Sequence, residues 1–347
     1  MSLFLSIIIP VYNLDEYIID CLDSLLTQND EQEIEVIIVN DGSIDNSKNL
    51  IEDYIDRHKL SNFHLYNVRN QGVGAARNLG LSKSRGDYVF FLDGDDFIAS
   101  DFIDYLKQKS INNNSQDIIS FSFNYVDHKK TFLRSLNDKY PPLDGVFSNQ
   151  DFFDKIIKGK HWIWTSSAIY SKNFLKKNEL TFSYHRRAQD LLFIFSCILK
   201  AKTVLVLPKV LSFYRKRRGS TTNSFNIRNI ESVYAFLELQ NRAHEINDAN
   251  LRNKILDYSL YLSSKALINQ ITQIKRSMKD YQEARLESIK AKNAVVNAIS
   301  QRFAKERNLL LILKSLLLRV YVSSSFRFSR ITNLKIFRYL LYRLLVS

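Results

Sequence analysis

Three carboxylates and one glycine follow directly after five large apolar residues. The apolar run is Tyr88–Leu92, and the acidic group is Asp93, Gly94, Asp95 and Asp96. Carboxylates this close repel one another, and the usual compensation is a divalent cation with oxygen ligands, Mg²⁺ or Mn²⁺, often shared with a phosphate. Two nearby Asp residues also occur in ordinary turns, so the surrounding elements decide the interpretation.

A strand buried on both faces is the element that must position this acidic group, because an unbroken apolar run is typical of a parallel sheet. Open α/β sheets bind ligands just past the carboxyl ends of their strands, where the acidic group falls. Strands alternating with helices predict a parallel, doubly wound sheet over residues 1–110. The predicted strands are 4–9 (ended by Pro10), 34–39, 63–68 and 87–92, and the predicted helices are 15–28 and 44–58.

The sequence after residue 110 is less regular. The pattern predicts further elements, namely strands at 117–126 and 203–207, a loop at 141–145 and a helix at 190–200. The aromatic stretch 161–170 fits either a strand or the start of a buried helix. No Gly or Pro follows Gly219, and periodic apolar residues predict a helical region over 226–347.

The composition narrows the class of partner. The 347 residues carry a formal net charge of +13, and 45% of them are hydrophobic, enough for a large core. From Arg302 onward ten basic residues stand against Glu306 alone, which favours an anionic partner. These basic residues lie in an apolar-rich segment without exposed stacking aromatics, so a membrane surface is favoured and nucleic acid is not.

Cysteine usage and the start of the chain indicate the compartment. Cys21 and Cys197 lack metal-ligand spacing, and the two positions do not form a disulfide framework, so a reducing compartment fits. The first apolar stretch is short and has no basic region before it, which indicates a strand and not a signal peptide. No apolar run reaches the length of a spanning helix. We therefore expect a cytoplasmic protein.

Four motifs occur in order along the sequence: Ile9-Pro10-Val11-Tyr12-Asn13, Asn40-Asp41-Gly42-Ser43, the segment Gly72–Asn78, and Leu92–Asp96. Together they closely resemble the family-two glycosyltransferases of the GT-A fold, inverting enzymes that often build bacterial surface polysaccharides. The resemblance is strong over 4–110, looser over 160–225 and absent beyond. It implies the α/β GT-A fold, a Rossmann-like mixed sheet of nucleotide-diphospho-sugar transferase type with a C-terminal helical extension. Residues 1–110 would then bind the nucleotide sugar and 111–225 the acceptor.

The resemblance implies contacts to a nucleotide-sugar donor, most directly a UDP-sugar. Asp41 matches the carboxylate that accepts from the uracil imide N–H, although a turn or helix-cap role also fits. Asp95 matches the ligand of Mn²⁺ or Mg²⁺, and Asp93 a ribose or sugar contact. Arg77 either reaches the donor or lies on a solvated helix face. The other implied donor contacts are Pro10, Val11, Asn13, Gly94, Arg215, Arg218 and Ser220. The first three also fit a strand-ending turn, and the last three a basic surface loop.

The resemblance also implies a general base in the second half. In the family this base is the Asp of a Glu-Asp pair that opens a helix, and the matching stretch is Arg187–Phe193, which assigns Asp190. An ordinary first-turn acid favoured by the helix dipole is the alternative. Gln189 stands where Glu is usual, which leaves acceptor binding open. Trp162 and Trp164 either stack on an acceptor sugar or belong to the core.

The end of the chain resembles an interfacial helix. Leu334, Phe337, Leu341 and Leu344 share one stripe, and basic residues lie off it, a pattern typical of a helix lying in lipid headgroups. We expect it to hold the protein on the inner face of the cell membrane, near a glycan acceptor carried on polyprenyl diphosphate. The alternative is packing on the catalytic domain or on a second subunit of a homo-oligomer.

These observations predict a non-processive, metal-dependent enzyme that transfers one sugar, with inversion, to a hydroxyl of a bacterial surface-glycan precursor (capsule, O-antigen or lipooligosaccharide). One alternative is a catalytically inactive GT-A-like protein that acts as a membrane-docking or binding module. A nucleotidyltransferase would need a Gly-rich, basic loop after the first strand, and the residues Pro10–Asn13 stand there instead.

Overall fold

A computed structural model of the chain describes residues 3–28, 33–112, 116–185, 187–217, 230–274 and 281–303. The chain divides into two compact units. The first unit comprises residues 1–184 and 193–220, and the second comprises 185–192 and 221–347. This division rests on contacts within the chain. The functional division at residues 110 and 225, which was predicted from the sequence, is a separate one and stays a prediction.

The first unit is built on a ten-stranded sheet. Its first four strands are β1 (Leu5–Val11), β2 (Ile34–Asp41), β3 (Phe63–Val68) and β4 (Tyr88–Phe91). They are parallel and lie in the order β3-β2-β1-β4. The helices between them are α1 (Ile18–Leu26), α2 (Ser47–His58) and α3 (Val73–Lys83). This arrangement confirms the parallel half that the sequence predicted.

The remaining strands make the sheet mixed. They are β5 (Phe97–Ile98), β6 (Ile118–Val126), β7 (Phe132–Ser135), β8 (Gly145–Ser148), β9 (Ala168–Ser171) and β10 (Thr203–Arg215). From β4 the sheet continues through β9, β6 and β10 to β5, while β7 pairs with β6 and β8 with β10. Since β9 runs antiparallel to both neighbours, the sheet is mixed, as the GT-A fold implied. The helices in this part are α4 (Phe102–Asn112), α5 (Asn149–Ile157), α6 (Lys172–Lys177) and α7 (Gln189–Lys200).

β1 runs through Pro10 to Val11, so the prediction that Pro10 ends the strand is wrong. Pairing with β4 stops at Ile8, opposite Phe91, while pairing with β2 continues to Val11. Pro10 therefore lies where β1 has one neighbouring strand, and its missing N–H is tolerated as on an edge strand. The last residues of β1, 9–11, therefore extend beyond the part of the strand that pairs with β4.

β4 is covered on both faces. Phe90 and Phe91 are both fully buried, and consecutive strand residues point to opposite faces. Phe90 contacts the Phe102 ring at a centroid distance of 4.8 Å, while Phe91 contacts Phe182 at 4.9 Å. Covering on both faces holds the carboxyl end of β4, and the acidic group after it, in a fixed position.

The second unit is helical. Its described helices after residue 229 are α8 (Glu231–Ala243), α9 (Ala249–Ile274) and α10 (Tyr281–Phe303). They share an apolar core that includes Val233, Leu260 and Val295, which confirms the predicted helical region for these residues. None of the described helices combines the length and apolar character needed to span a bilayer. The stripe of Leu334, Phe337, Leu341 and Leu344 lies outside the described residues.

Candidate active site

Hydrogen bonds tie together the loops that follow β1 and β2. Asn13 has a φ of +54°, a left-handed conformation that Asn adopts more readily than most residues. Its backbone N–H donates to Ser43 Oγ at 3.1 Å, and its Oδ1 accepts from the Ile44 N–H at 2.9 Å. The two loops at this edge of the sheet therefore form one connected rim.

Pro10 and Val11 lie just before this rim. Both are buried, Val11 completely, so their side chains belong to the core. The side chain of Tyr12, by contrast, is 47% exposed. Any contact of a donor with the end of β1 would therefore involve Tyr12, Asn13 or the backbone of Pro10 and Val11, and the contacts predicted for Pro10 and Val11 stay a prediction.

Asp41 ends β2 and holds the turn that starts α3. Its Oδ1 accepts from the Gln71 N–H at 2.8 Å and its Oδ2 from the Gly72 N–H at 2.9 Å. Gly72 has a φ of +96°, which glycine adopts without strain, and directly precedes the helix. The turn role considered from the sequence is thus present. A carboxylate accepts about four hydrogen bonds, so capacity for a ligand N–H is left, and the uracil contact stays a prediction.

Arg77 is a buried partner of the acidic group. Its side chain is 6% exposed, and its Nη2 donates to Asp93 Oδ1 at 2.5 Å. The guanidinium also lies over the Phe182 ring, 5.2 Å from its centroid. Assigning Arg77 to a solvated helix face is therefore wrong. The pair fixes Asp93, whose side chain stays 34% exposed at the site.

Asp96 is the interior member of the acidic group. Its Oδ1 accepts from the backbone N–H of Arg215 at 2.8 Å. Burial raises the pKa of Asp96 well above its usual range, and the charges of Asp95 and Asp93 raise it further. Gly94, between the acidic residues, packs against Leu14, where an added Cβ would come within 2.9 Å of Cδ1. Gly94 thus lets the acidic turn lie against the core.

Arg215 is engaged inside the protein. Its guanidinium is 1% exposed, and it donates to Asp20 Oδ2 at 2.9 Å and to the His128 carbonyl at 3.3 Å. A plain basic surface loop is therefore the wrong description of Arg215. Direct contact with donor phosphates, which the resemblance implied, is not available to this guanidinium in the present conformation. Arg218 and Ser220 lie outside the described residues.

Arg217 is a site residue that the sequence analysis missed. Its Nε donates to Asp95 Oδ2 at 2.6 Å, and both side chains remain partly exposed. Burial raises the pKa of Asp95, the Asp93 charge adds to this, and Arg217 opposes it. Arg217 stood unnoticed in a run of basic residues. The available signal was the strand period of two, which puts Arg215 and Arg217 on one face and Lys216 on the other.

The acidic group offers oxygen ligands without forming a complete metal cage. Over the part of the chain that the structure describes, no three His, Cys, Asp or Glu side chains converge to hold an ion. Mg²⁺ commonly binds through one or two carboxylates together with substrate phosphates and water. Asp95, balanced here by the cation of Arg217, fits a metal that binds together with a diphosphate.

Trp162 and Trp164 lie in a loop before a short 3-10 helix (Thr165–Ser167) and β9, so the stretch 161–170 is a strand only from Ala168 onward. Their rings are 5.9 Å apart and near perpendicular, and Trp164 stacks on Tyr214. Both indole Nε1 atoms are buried and have no hydrogen-bond partner within the described residues. Buried indole N–H groups usually have one, so the pair offers two donors, and acceptor binding stays a prediction.

The predicted base belongs to the second unit. α7 begins at Gln189, and Asp190 lies in its first turn, as predicted. Ala188, just before the helix, has a φ of +55°, and its carbonyl accepts from the Leu192 N–H at 3.0 Å. Gln189 is buried and Asp190 is half-buried. This position fits both a base and a first-turn acid, so the base role stays a prediction.

α8 holds the segment that leads into α7. His185 Nε2 lies 2.9 Å from Glu238 Oε2, and Arg242 Nη2 donates to the other oxygen of Glu238 at 2.8 Å. The carboxylate therefore links the segment before Asp190 to two turns of α8. The helical unit thus contributes directly to the position of the predicted base.

Known proteins resemble this chain in sequence and in fold. Residues 6–179 match the family described as Glycosyl transferase family 2. EpsH of Bacillus subtilis (strain 168) is 29% identical over 272 residues, which cover 76% of each chain. The poly(ribitol-phosphate) beta-N-acetylglucosaminyltransferase TarS of Staphylococcus aureus (strain MW2) is 27% identical over 259 residues, 74% of this chain and 42% of TarS.

A crystal structure of residues 1–349 of S. aureus TarS in complex with UDP-GlcNAc has the same fold. The TM-score is 0.75 at 22% identity, over 94% of this chain and 90% of that one. The mixed sheet with an acidic turn after β4 thus defines a transferase of the GT-A fold. The chain belongs to glycosyltransferase family 2, which confirms the resemblance drawn from its motifs.

Proposed function

We propose that the protein transfers one sugar from a UDP-sugar to a hydroxyl group of a bacterial surface-glycan precursor, with inversion. The observation that carries the proposal is the set of carboxylates Asp41, Asp93 and Asp95, which follow the carboxyl ends of parallel strands in one sheet. That edge is where open α/β sheets bind their ligands. The TarS structure supports the choice of donor class, because that protein was crystallised with UDP-GlcNAc.

The donor would bind along this edge in a fixed order. Asp41 would accept a hydrogen bond from the uracil N–H, and Asp93, held by Arg77, would bind the ribose or the sugar. Asp95 would hold Mn²⁺ or Mg²⁺, which when bound would neutralise the charge on the departing UDP. Arg217 would then leave Asp95 and pair with a phosphate oxygen, a favourable exchange for a guanidinium.

Asp190 would act on the acceptor. It would remove the proton from the acceptor hydroxyl while that oxygen bonds to the anomeric carbon and the bond to UDP breaks. One base without a separate nucleophile gives a single displacement, so the anomeric configuration inverts. Trp162 and Trp164, both partly exposed, would present flat apolar faces to the acceptor sugar.

The acceptor and the location are proposed from weaker signals. TarS is described as acting on poly(ribitol-phosphate), a hydroxyl-rich polymer, which supports a surface-glycan acceptor here. The basic, apolar end of the chain would keep the protein at the membrane, near an acceptor carried on a lipid diphosphate.

The test uses the full chain and a panel of nucleotide sugars. Thermal shift and UDP release with Mn²⁺ would identify the donor. Asp95→Asn is expected to lose both donor-induced stabilisation and transfer, whereas Asp190→Asn should keep stabilisation and lose transfer by about 10³-fold. The matched control is Asp144→Asn, at an exposed position. Near-normal turnover in Asp190→Asn would reject the base. No stabilisation by any nucleotide would favour the non-catalytic binding module.

A further inference from the structure

The β6–β7 hairpin, residues 118–135, has an exposed tip at residues 128–134. At this tip Phe132 is 58% exposed and Leu133 is 47% exposed. They are consecutive in β7, so one side chain points to each face of the strand. Among the strands that the structure describes, β7 pairs with β6 alone, so within this part of the chain it is an edge strand with large apolar side chains on both faces. Exposed edge strands with large apolar side chains are usually covered by another element of the chain or by a binding partner.

Unpaired cations lie beside these apolar residues. Arg134 Cζ is 4.3 Å and Lys216 Nζ is 5.0 Å from the centroid of the same Tyr125 ring. Arg134, Lys216 and Lys129 form no ion pair with any residue that the structure describes. Two cations over one ring repel each other, so this face favours an anionic partner.

The base of the hairpin is fixed next to the acidic site. Val126 pairs with Arg215 in the sheet, and the N–H of Arg215 binds Asp96. The His128 carbonyl accepts from the Arg215 guanidinium, and Lys130 pairs with Asp20, which also binds Arg215. The hairpin therefore lies beside the acidic turn, and two residues of its tip, His128 and Lys130, are held there.

We propose that the β6–β7 hairpin docks on an anionic lipid bilayer. Phe132 and Leu133 enter the boundary between headgroups and acyl chains, and Lys129, Arg134 and Lys216 face lipid phosphates. Apolar side chains flanked by cations are the combination that the boundary between lipid headgroups and acyl chains accommodates. The inference rests on the proposed function only in that a membrane-borne acceptor gives the docking a purpose.

A fluorophore at the tip tests the contact directly. Cys21 and Cys197 are fully buried, so a thiol-reactive, environment-sensitive dye would label a cysteine introduced by Phe132→Cys. With vesicles of phosphatidylcholine mixed with phosphatidylglycerol, we expect a blue shift and brighter emission. The matched control is Val146→Cys on β8, 49% exposed, where no shift is expected. No shift at position 132, or equal shifts at both positions, would overturn the proposal.

Charge reversal tests the electrostatic part. We expect Lys129→Glu with Arg134→Glu to weaken sedimentation with the anionic vesicles by about tenfold or more. Lys160→Glu, at another exposed position of the first unit, should leave it unchanged. Equal binding to pure phosphatidylcholine, or hairpin-dependent binding of RNA without vesicle binding, would contradict the proposal. UDP release from the donor should persist in these variants, so failure of docking and failure of transfer are measured separately.

Discussion

The parallel and mixed halves of the sheet contribute opposite charges to the site. The parallel half, residues 3–112, supplies the carboxylates of Asp41, Asp93, Asp95 and Asp96 after its strands. The mixed half supplies Arg215 and Arg217 at the end of β10, which lie over the same Tyr17 ring at 5.3 and 5.5 Å. From within the described residues of the parallel half, Arg77 is the cation that pairs with the acidic group.

This difference indicates which contact in the site can be exchanged when a metal or donor binds. Asp41, Asp93 and Asp96 are held by groups that are buried or belong to the backbone. Asp95 is held by a partly exposed arginine at the end of a strand. The acidic half is therefore fixed, and the contact that a bound metal or donor can exchange comes from the mixed half.

The largest expected effect comes from removing the buried cation at this junction. Arg215→Met removes the guanidinium that binds Asp20 and the His128 carbonyl, and it leaves Asp20 with Lys130 as its described partner. Loss of a hydrogen bond to a charged group costs about 1.5–3 kcal/mol. Chemical denaturation should show this loss in the free energy of unfolding. The control is Lys216→Met on the next residue, which forms no described ion pair and should change stability by about 0.5 kcal/mol or less. Equal losses in the free energy of unfolding for the two variants would contradict the stabilising role assigned to the Arg215 guanidinium.

Asp96→Asn should stabilise the protein, and the gain in stability should depend on pH. The amide oxygen keeps the bond from the Arg215 N–H, and the substitution removes a buried charge repelled by Asp95. Because the folded pKa of Asp96 is raised, the native carboxylate is unfavourable above that pKa and is relieved by protonation below it. The variant should therefore be more stable than the native protein at neutral pH. This advantage should fade as pH falls towards the unfolded value of about 3.9. A constant difference across pH would refute the shift.

Arg217→Ala should tighten Mn²⁺ binding in the absence of donor. The guanidinium of Arg217 binds Asp95 and would compete with a metal ion there. An ion pair of this exposure contributes up to about 1 kcal/mol, so its removal should tighten Mn²⁺ binding by about fivefold. Titration of free Mn²⁺ by electron paramagnetic resonance measures the change without any turnover. Lys216→Ala serves as the control. Unchanged or weaker Mn²⁺ binding in Arg217→Ala would mean that Arg217 does not compete with the metal.

The smallest expected effect is a difference in stability between two variants at the rim of the parallel half. Asn13→Ala loses the bond to the Ile44 N–H and keeps a Cβ in a left-handed conformation without the polar side chain that lets Asn adopt it, which costs about 1 kcal/mol. Asn13→Gly keeps the conformation accessible and should cost less. Melting temperatures of the two variants measure the difference. Equal losses would show that backbone conformation contributes little here.

The parallel half was predictable because its signals are local. Unbroken apolar runs and the motifs after them located β1 to β4 and the acidic group, with errors only at the ends, as at Pro10. In the mixed half the predicted strand ended at Leu207, while β10 continues to Arg215. Pro208, just past the predicted end, lies at a shift in register against β6, where its missing N–H is accommodated.

Partners of the site residues were less predictable than the site residues themselves. The bond from Arg215 to Asp20 joins positions 195 residues apart, and the bond from Arg217 to Asp95 joins positions 122 apart. No local pattern encodes such pairs, because they depend on the register of β10 within the sheet. The same limit applied to Trp162 and Trp164, whose surroundings depend on β10 and α7.

The irregular register of β10 restricts how the chain can change length between Leu207 and Ser212. Side chains alternate along a strand, so an insertion or deletion of one residue there would turn the guanidinium groups of Arg215 and Arg217 away from Asp20 and Asp95. Two residues added or removed together would keep the orientation. Viable length variants of this protein at that point should therefore differ by even numbers of residues.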